Sequence, residues 1–408
     1  MFKSAQHYRT FLTVLLTYTL DLVGFSIVFP VLAPLLLNPQ LHFFAPDILL
    51  GERTTILGLL FAIFGIAQFI GAPIAGVLAD HYGRHKTFLA TVGLSVVGYG
   101  IMAFAVYAQS LSLIFVGRIV TGFCSGNVGL AQSATADLTD AKHRGKAFGI
   151  LLGVGGLGFV VGPWFGGKLA NPDWLFGSGA FIFAAVAAMI NFITLYFFYV
   201  ETWKRNAAHA KVSLFGTFKD MRIVFHHKIL RTILIASLLF FIGWAFLVIF
   251  SPTYLVQRFS LGADKIGDIY AYFAIWWMFV TMYLNKELVA KFSLRHLIAA
   301  GAIIASVFLV VFVLAEQMWW YWIIIPILVG GGGFAWVNFG TLLSLKTSDD
   351  MQGRAMGVSG SMWSLGQIIA PLVAGPLAGW NMYAPLLLGA IVIFLSFVYF
   401  VTQYKEIN

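Results

Sequence analysis

The chain has 408 residues, 60% of them hydrophobic and 10% charged, and carries a formal net charge of +9 at pH 7. Soluble domains carry about 25% charged residues, so this composition excludes a chain that meets water on every side. Cys124 is the only cysteine, which excludes an internal disulfide or a cysteine-built metal cluster; no metal site and no cofactor is predicted.

A spanning helix needs roughly 20 apolar residues. Runs of that kind are predicted at 11–37, 55–79, 88–108, 111–134, 146–170, 178–200, 230–256, 266–285, 297–315, 319–344, 355–379 and 383–403. Gly, Pro, Asn or charged residues interrupt the pattern at most boundaries. The first run, beginning near Phe11, is too long for a signal-peptide core and is followed by no small-residue cleavage site, so it reads as the first span. The polar stretch 201–229 divides the series. The predicted fold is therefore an all-α polytopic membrane protein with twelve transmembrane helices in two pseudo-symmetric six-helix bundles, 1–200 and 230–408, joined by a cytoplasmic linker at 201–229. Within the linker, Phe215, Phe218, Met221 and Phe225 are spaced for one face of an amphipathic helix on the membrane surface.

The basic residues orient these spans. With the N-terminus inside, 20 of the 25 Lys and Arg residues fall on the inner side. Four fall outside (Arg53, Lys168, Arg258 and Lys265), and Arg118 lies within a span. That is the asymmetry of the positive-inside rule with both termini cytoplasmic. The net positive charge is thus a mark of topology: the expected partner is the lipid bilayer, not nucleic acid.

The halves also repeat. A shift of 208 residues lays Ala147 on Ala355, Gly149 on Gly357, Gly158 on Gly366, Pro163 on Pro371 and Gly167 on Gly375, with Lys146 on Arg354. Duplicated halves are common in transporters, whose substrate sites lie near the midplane.

Four motifs fall in order on these spans. Gly76-Val-Leu-Ala-Asp80-His-Tyr-Gly83-Arg84-His85-Lys86 joins spans two and three. Leu20-Asp21-Leu-Val-Gly24, running on to Pro30, lies in span one. Gly117-Arg118-Ile-Val-Thr-Gly122 lies in span four, and Gly153 to Gly167, ending Gly162-Pro163-Trp-Phe-Gly166-Gly167, lies in span five. Together they resemble the signature motifs of the major facilitator superfamily, in its twelve-helix drug:proton antiporter branch with the tetracycline exporters. His81 and His85 depart from the Arg or Lys usual in the signature loop. The matching loop of the second half, Leu288 to Arg295, has no acid at the corresponding position.

Asp21 and Arg118 are the two charges placed well inside spans. A charge near the bilayer centre costs about 3 kcal/mol or more, so each needs a reason to be there. At ~1.5 Å per residue the two sit at levels roughly 4 Å apart in a core of about 30 Å. The resemblance places spans one and four side by side along the cavity. The pair is then either a permanent ion pair locking two helices or a proton-coupling and substrate pair.

The resemblance makes Gly76, Asp80, Gly83, Arg84, Asp137 and Arg144 a gating set. Asp80 would face the positive dipole end of span eleven and Arg84 would pair with Asp137; the plainer alternative is charge that only sets topology. Gly153, Gly158, Gly162, Pro163, Gly166 and Gly167 permit close packing and a bend in span five, and the resemblance makes them a hinge that favours antiport. Candidates for the substrate cavity are Gln68, Asn127, Tyr270, Trp276, Asn338, Trp363 and Gln367, each with a packing or interhelical hydrogen-bonding alternative. Trp319, Trp320 and Trp322 read as an interfacial belt.

There is no nucleotide-binding loop, no Ser-His-Asp order and no pair of hydrolytic carboxylates, so no enzyme is predicted. The expected activity is proton-coupled secondary active transport by alternating access. Its direction is read as efflux of a small organic molecule, amphiphilic, drug-like or metabolite- or siderophore-like, in exchange for protons. Import of a siderophore or metabolite by proton symport or facilitated diffusion is the alternative within transport. A non-transporting receptor or sensor is the alternative of another class. A monomer in a bacterial inner membrane is expected.

Overall fold

The computed structural model describes residues 5–140, 143–201, 216–348 and 351–404. Its helices are α1 (Gln6–Leu37), α2 (Leu50–Tyr82), α3 (Arg84–Tyr107), α4 (Leu111–Leu138), α5 (Arg144–Leu169) and α6 (Gly179–Phe198). They continue with α7 (Gly216–His226), α8 (Lys228–Phe259), α9 (263–289), α10 (Leu294–Leu314), α11 (Tyr321–Leu345), α12 (Gln352–Trp380) and α13 (Ala384–Gln403). Among the described residues, eleven helices are long and apolar enough to cross a membrane. The remaining predicted span, 266–285, lies in α9, where a π turn at Val280–Leu284 separates Ala263–Phe279 from Asn285–Val289. The extra residue of an i→i+5 turn breaks a run that composition alone reads as continuous.

Lipid explains why such sequences stay helical. Without water, each backbone group must be satisfied within its own helix, and apolar side chains suit the outer face as well as the inner one. Phe104, Phe197 and Leu314 are accordingly exposed. Pro73, Pro163, Pro252, Pro326 and Pro371 all sit inside helices. Two helices are jointed. In α1 a turn at Ile27–Val28 separates Ala5–Ser26 from Phe29–Leu37. In α4 the break falls at Ser125–Gly126, where Ser125 Oγ donates to the Gly122 carbonyl at 2.7 Å.

The chain forms two compact units. One comprises Met1–Ile48, Ile63–Val212 and Phe259–Ala274; the other comprises Leu49–Ala62, Ser213–Arg258 and Ile275–Asn408. In the first, α1 packs on α4, α5 and α6, and α3 packs on α4 and α6. In the second, α10 packs on α11 and α13, repeating the α3 arrangement in the second half of the sequence. Each unit also holds a half-helix from the other half of the sequence, seated by glycine. In the second unit a Cβ at Gly58 would lie 3.1 Å from Gly375 Cα, and one at Gly51 would lie 3.6 Å from Gly379 Cα. In the first, a Cβ at Gly267 would meet Gly167 Cα at 3.1 Å, and the adjoining Lys168–Asp268 ion pair measures 2.9 Å.

The linker helix α7 packs on α12. Of the face expected from the sequence, Met221 and Phe225 are half-buried, and Val224 between them is fully buried. Phe215 and the Phe218 side chain lie outside the described residues.

Candidate functional site

Asp21 sits in α1 and is half-buried. Its Oδ1 accepts a hydrogen bond from Asn127 Nδ2 at 3.0 Å. Asn127, just after the α4 break, is 1% exposed. Its Oδ1 accepts from Thr91 Oγ1 on α3 at 2.6 Å. Thr91 Oγ1 also lies 2.9 Å from the Thr87 carbonyl. Asp21, Asn127 and Thr91 thus form a line of polar groups across three helices of the first unit.

Thr91 belongs to a stripe that the sequence displays openly. Thr87, Thr91, Ser95 and Tyr99 recur every four residues, which places them on one face of α3. Ser95 shares a side-chain hydrogen bond with Cys124 on α4. Tyr99 lies within electrostatic reach of both Asp21 and Arg118. Its hydroxyl occupies the space that a Cβ at Gly24 would need, three residues beyond Asp21. The sequence reading named neither Thr91 nor Tyr99; the period-four polar positions in an otherwise apolar helix were the available signal.

Arg118 is 4% exposed, with its guanidinium carbon 4.2 Å from the centroid of the Phe64 ring on α2. An aromatic face attracts a desolvated cation. Close backbone approach holds these helices in place: a Cβ at Gly122 would lie 2.6 Å from the Phe64 carbonyl oxygen. Among the described residues the structure records no ion pair between Asp21 and Arg118 within 4.0 Å. The acid is held by an amide, and the cation lies over a ring.

The glycine run of α5 seats α1. A Cβ at Gly158 would lie 2.7 Å from the Thr19 carbonyl oxygen, and one at Gly166 would lie 2.7 Å from that of Ile27. A Cβ at Gly162 would collide with Ser26 Oγ, and one at Gly155 with the Tyr18 ring. Ser26 Oγ donates to the Gly158 carbonyl at 3.0 Å. Gly167 and the Pro163 carbonyl face Gly267 instead, while Gly153 is half-buried within the same helix. The motif therefore does two things at once: it presses α5 against the helix that carries Asp21, and it receives α9.

At the α2–α3 turn Gly83 has φ +94°, a left-handed conformation that glycine alone adopts freely. Arg84 Nη2 pairs with Asp137 Oδ2 at 2.9 Å. Asp80 and Arg144 are exposed, both within electrostatic reach of Asp137. A Cβ at Gly76 would meet open space. Glu201, the first residue of the linker expected from the sequence, caps α3: its carboxylate accepts from the Arg84 and His85 backbone amides at 3.2 and 3.1 Å. An anion is favoured at a helix N-terminus, and Glu201 lies three residues beyond the end of α6 at Phe198. His85 stacks on Tyr199, with centroids 5.2 Å apart, and its Nε2 lies 3.1 Å from the Leu195 carbonyl.

In the second unit the interior is aromatic. Trp336 on α11 lies 4.6 Å from Trp363 on α12, 5.7 Å from Trp277 on α9 and 4.5 Å from Phe241 on α8, between ring centroids. Trp277, Trp336 and Trp363 are each half-buried, while Trp244, 5.4 Å from Trp277, is buried. Of this cluster the sequence points to Trp363 as a cavity candidate and to Trp277 among the aromatic residues of span eight. Gln367, one turn on, is buried. Trp276 packs edge-on against the exposed Phe279 at 5.6 Å. In the first unit Tyr270 stacks on Phe29 at 6.0 Å, and Gln68 is half-buried on α2. Asn338 is fully buried and donates to Asn285 Oδ1 at 2.8 Å, directly after the π turn.

A bundle of spanning helices with a polar line in one unit and an aromatic cluster in the other is the architecture of a membrane transporter. The chain belongs to the major facilitator superfamily, whose sequence profile matches residues 14–286 and 266–407. It is 29% identical over 381 residues to the class C tetracycline resistance protein of Escherichia coli, covering 91% of each chain. It is 36% identical over 199 residues to the class H tetracycline resistance protein of Pasteurella multocida, a match that spans 49% of this chain and 46% of that one. Its fold superposes on the crystal structure of the human organic anion transporter MFSD10 (TETRAN) with a TM-score of 0.72 at 17% identity, covering 97% of this chain and 100% of that one. The chain is thus a multi-pass integral membrane transporter of small molecules, not an enzyme.

Proposed function

We propose that this transporter exports a small amphiphilic organic molecule in exchange for protons, by alternating access between the halves 1–200 and 230–408. Asp21 is the proton carrier and Arg118 its modulator. The observation that carries this reading is the Asp21–Asn127 hydrogen bond: one carboxylate, deep in a spanning helix, held by a neutral amide that imposes no permanent charge. An ion pair would fix the acid in its ionised form, whereas an amide leaves it able to take up a proton. The names of the relatives, tetracycline resistance proteins, support export and a substrate of that general size. The half-buried Trp277, Trp336 and Trp363 suit a planar or partly apolar solute, since aromatic faces bind such surfaces over a large area. The Arg84–Asp137 pair and the Glu201 cap are read as parts of the gate. Both termini lie in the cytoplasm, the membrane is a bacterial inner membrane, and the protein works as a monomer.

Flux into proteoliposomes tests the direction. Exchange predicts that acid-interior liposomes accumulate labelled substrate and that acid-exterior ones do not. Accumulation driven only by external acid identifies a symporter, and equal flux under both gradients identifies a facilitator. Asp21→Asn is expected to remove the gradient dependence; unchanged gradient-driven accumulation in that variant rules Asp21 out as the carrier.

A further inference from the structure

Asn127 has a property that Tyr18, Tyr99 and Cys124, the other groups shown to act on Asp21, lack. A carboxamide is a donor at one end and an acceptor at the other, and a half-turn about its terminal bond exchanges them. In the structure the nitrogen faces Asp21 and the oxygen faces Thr91. That orientation suits an ionised Asp21, which accepts only. It leaves a neutral Asp21 with a new O–H donor pointed at a donor.

Thr91 makes the opposite orientation possible. Its hydroxyl both donates and accepts, and it has three acceptors in reach: Asn127 Oδ1 at 2.6 Å, the Thr87 carbonyl at 2.9 Å and the Phe88 carbonyl at 3.2 Å. When Asp21 is ionised, Thr91 gives its hydrogen to Asn127 Oδ1, and Asn127 Nδ2 gives one to Asp21. When Asp21 is neutral and the amide has turned, the Asp21 O–H donates to Asn127 Oδ1, Asn127 Nδ2 donates to Thr91 Oγ1, and Thr91 gives its hydrogen to the Thr87 carbonyl. Each of these donors has an acceptor in both arrangements. Buried polar groups strongly favour such complete pairing.

We propose that Asn127 is a positioning residue whose side-chain amide turns over with the charge on Asp21, with the Thr91 hydroxyl reversing in step. It builds on Asp21 as a proton site. One O–H bond forms on the Asp21 carboxylate, with the proton taken from water; no proton passes through Asn127. The consequence is mechanical as well as chemical. Loading Asp21 rewrites the hydrogen bonds that tie α1 to α4 and α4 to α3, so the protonation state is felt on α3 without a charge reaching it. Among the described residues, three ionisable groups lie within electrostatic reach of Asp21: Tyr18 on α1, Tyr99 on α3 and Cys124 on α4; Arg118 on α4 lies within reach of Tyr99. Their influence is common to all the variants below.

Infrared difference spectroscopy across a pH titration of the full-length purified protein tests the proposal. The protonated Asp21 band is assigned by its loss in Asp21→Asn, and the Asn127 side-chain carbonyl band by its loss in Asn127→Leu. The expected result is that the Asn127 band changes frequency as Asp21 is protonated, because its oxygen exchanges the Thr91 donor for the Asp21 donor. An Asn127 band that stays fixed through the titration overturns the proposal. Thr91→Val is expected to displace the Asp21 midpoint by about one pH unit, a tenfold change in proton affinity, although Thr91 does not touch Asp21. Thr91→Ser restores the wild-type midpoint, and Thr91→Val adds nothing to Asn127→Leu. Independent, additive shifts in the double variant count against it. If Thr91→Val is poorly folded, Thr91→Ala provides the same readout. Because the spectra need no transport, a failed switch and a failed carrier role for Asp21 are separate results: the first is read in the Asn127 band, the second in the flux of Asp21→Asn.

Discussion

Two buried asparagines occupy the fourth span of each half, Asn127 on α4 and Asn338 on α11, and they have different neighbours. Asn127 donates to a carboxylate at 3.0 Å. Asn338 donates to another amide, Asn285, at 2.8 Å. Beside the first runs a stripe of hydroxyls; the second also donates to the Phe334 carbonyl of its own helix at 2.8 Å. An amide bonded to an amide has one charge state at every physiological pH, so it can lock two helices and nothing more. An amide bonded to an acid has two. The 208-residue shift lays Asn127 on Ala335, so Asn338 is a separate amide in the corresponding span; on the proposed reading, energy coupling belongs to the first half and the second is left to present apolar surface to a substrate.

The largest test of that division is functional. Asp21→Asn is expected to bring gradient-driven accumulation down to the level of protein-free liposomes, whereas Asn338→Leu keeps its gradient dependence. Loss of gradient dependence in both would erase the distinction. Next comes stability. Asn338→Leu leaves a buried Asn285 oxygen without its donor, a loss of about 1–3 kcal/mol, and Asn285→Leu in the same chain should recover part of it; thermal unfolding in detergent reads both. Repeat-related glycines give a finer comparison. A Cβ at Gly158 would meet the Thr19 carbonyl at 2.7 Å and Leu22 Cβ at 2.9 Å, whereas one at Gly366 would meet Phe241 backbone atoms at 3.1 Å. Gly158→Ala should lower stability by about 1–3 kcal/mol, and Gly366→Ala by less. The smallest effect is at Gly149 and Gly357, where a Cβ would meet nothing within 4 Å. Alanine there should be neutral or stabilise by up to about 1 kcal/mol in either half.

Most of the helices were legible because they depend on composition along the chain: apolar length makes a span. The π turn in α9 was not, since Val280–Leu284 is as apolar as its surroundings and i→i+5 bonding leaves no mark on composition. The candidate site was legible one residue at a time. Asp21, Arg118 and Asn127 stood out as polar groups in apolar helices, and the signature loop yielded Arg84 and Asp137. Their partners were not, because which side chain meets which depends on helix rotation. Asp21 and Arg118 invited pairing on charge alone, yet the acid found Asn127 and the cation the Phe64 ring. Glu201 looked like the first residue of a polar linker and is a helix cap made 117 residues away from Arg84. Trp336 was hidden by its company in an almost wholly apolar helix.

Cys124, buried one turn before Asn127 and hydrogen-bonded to Ser95, is the single thiol of the chain. Polar thiol reagents should leave it untouched in the folded protein. A cysteine placed on any exposed loop can therefore be labelled selectively without first removing a native one. Cys124 itself then becomes a built-in reporter: the day it reacts, the seam between α3 and α4 has opened.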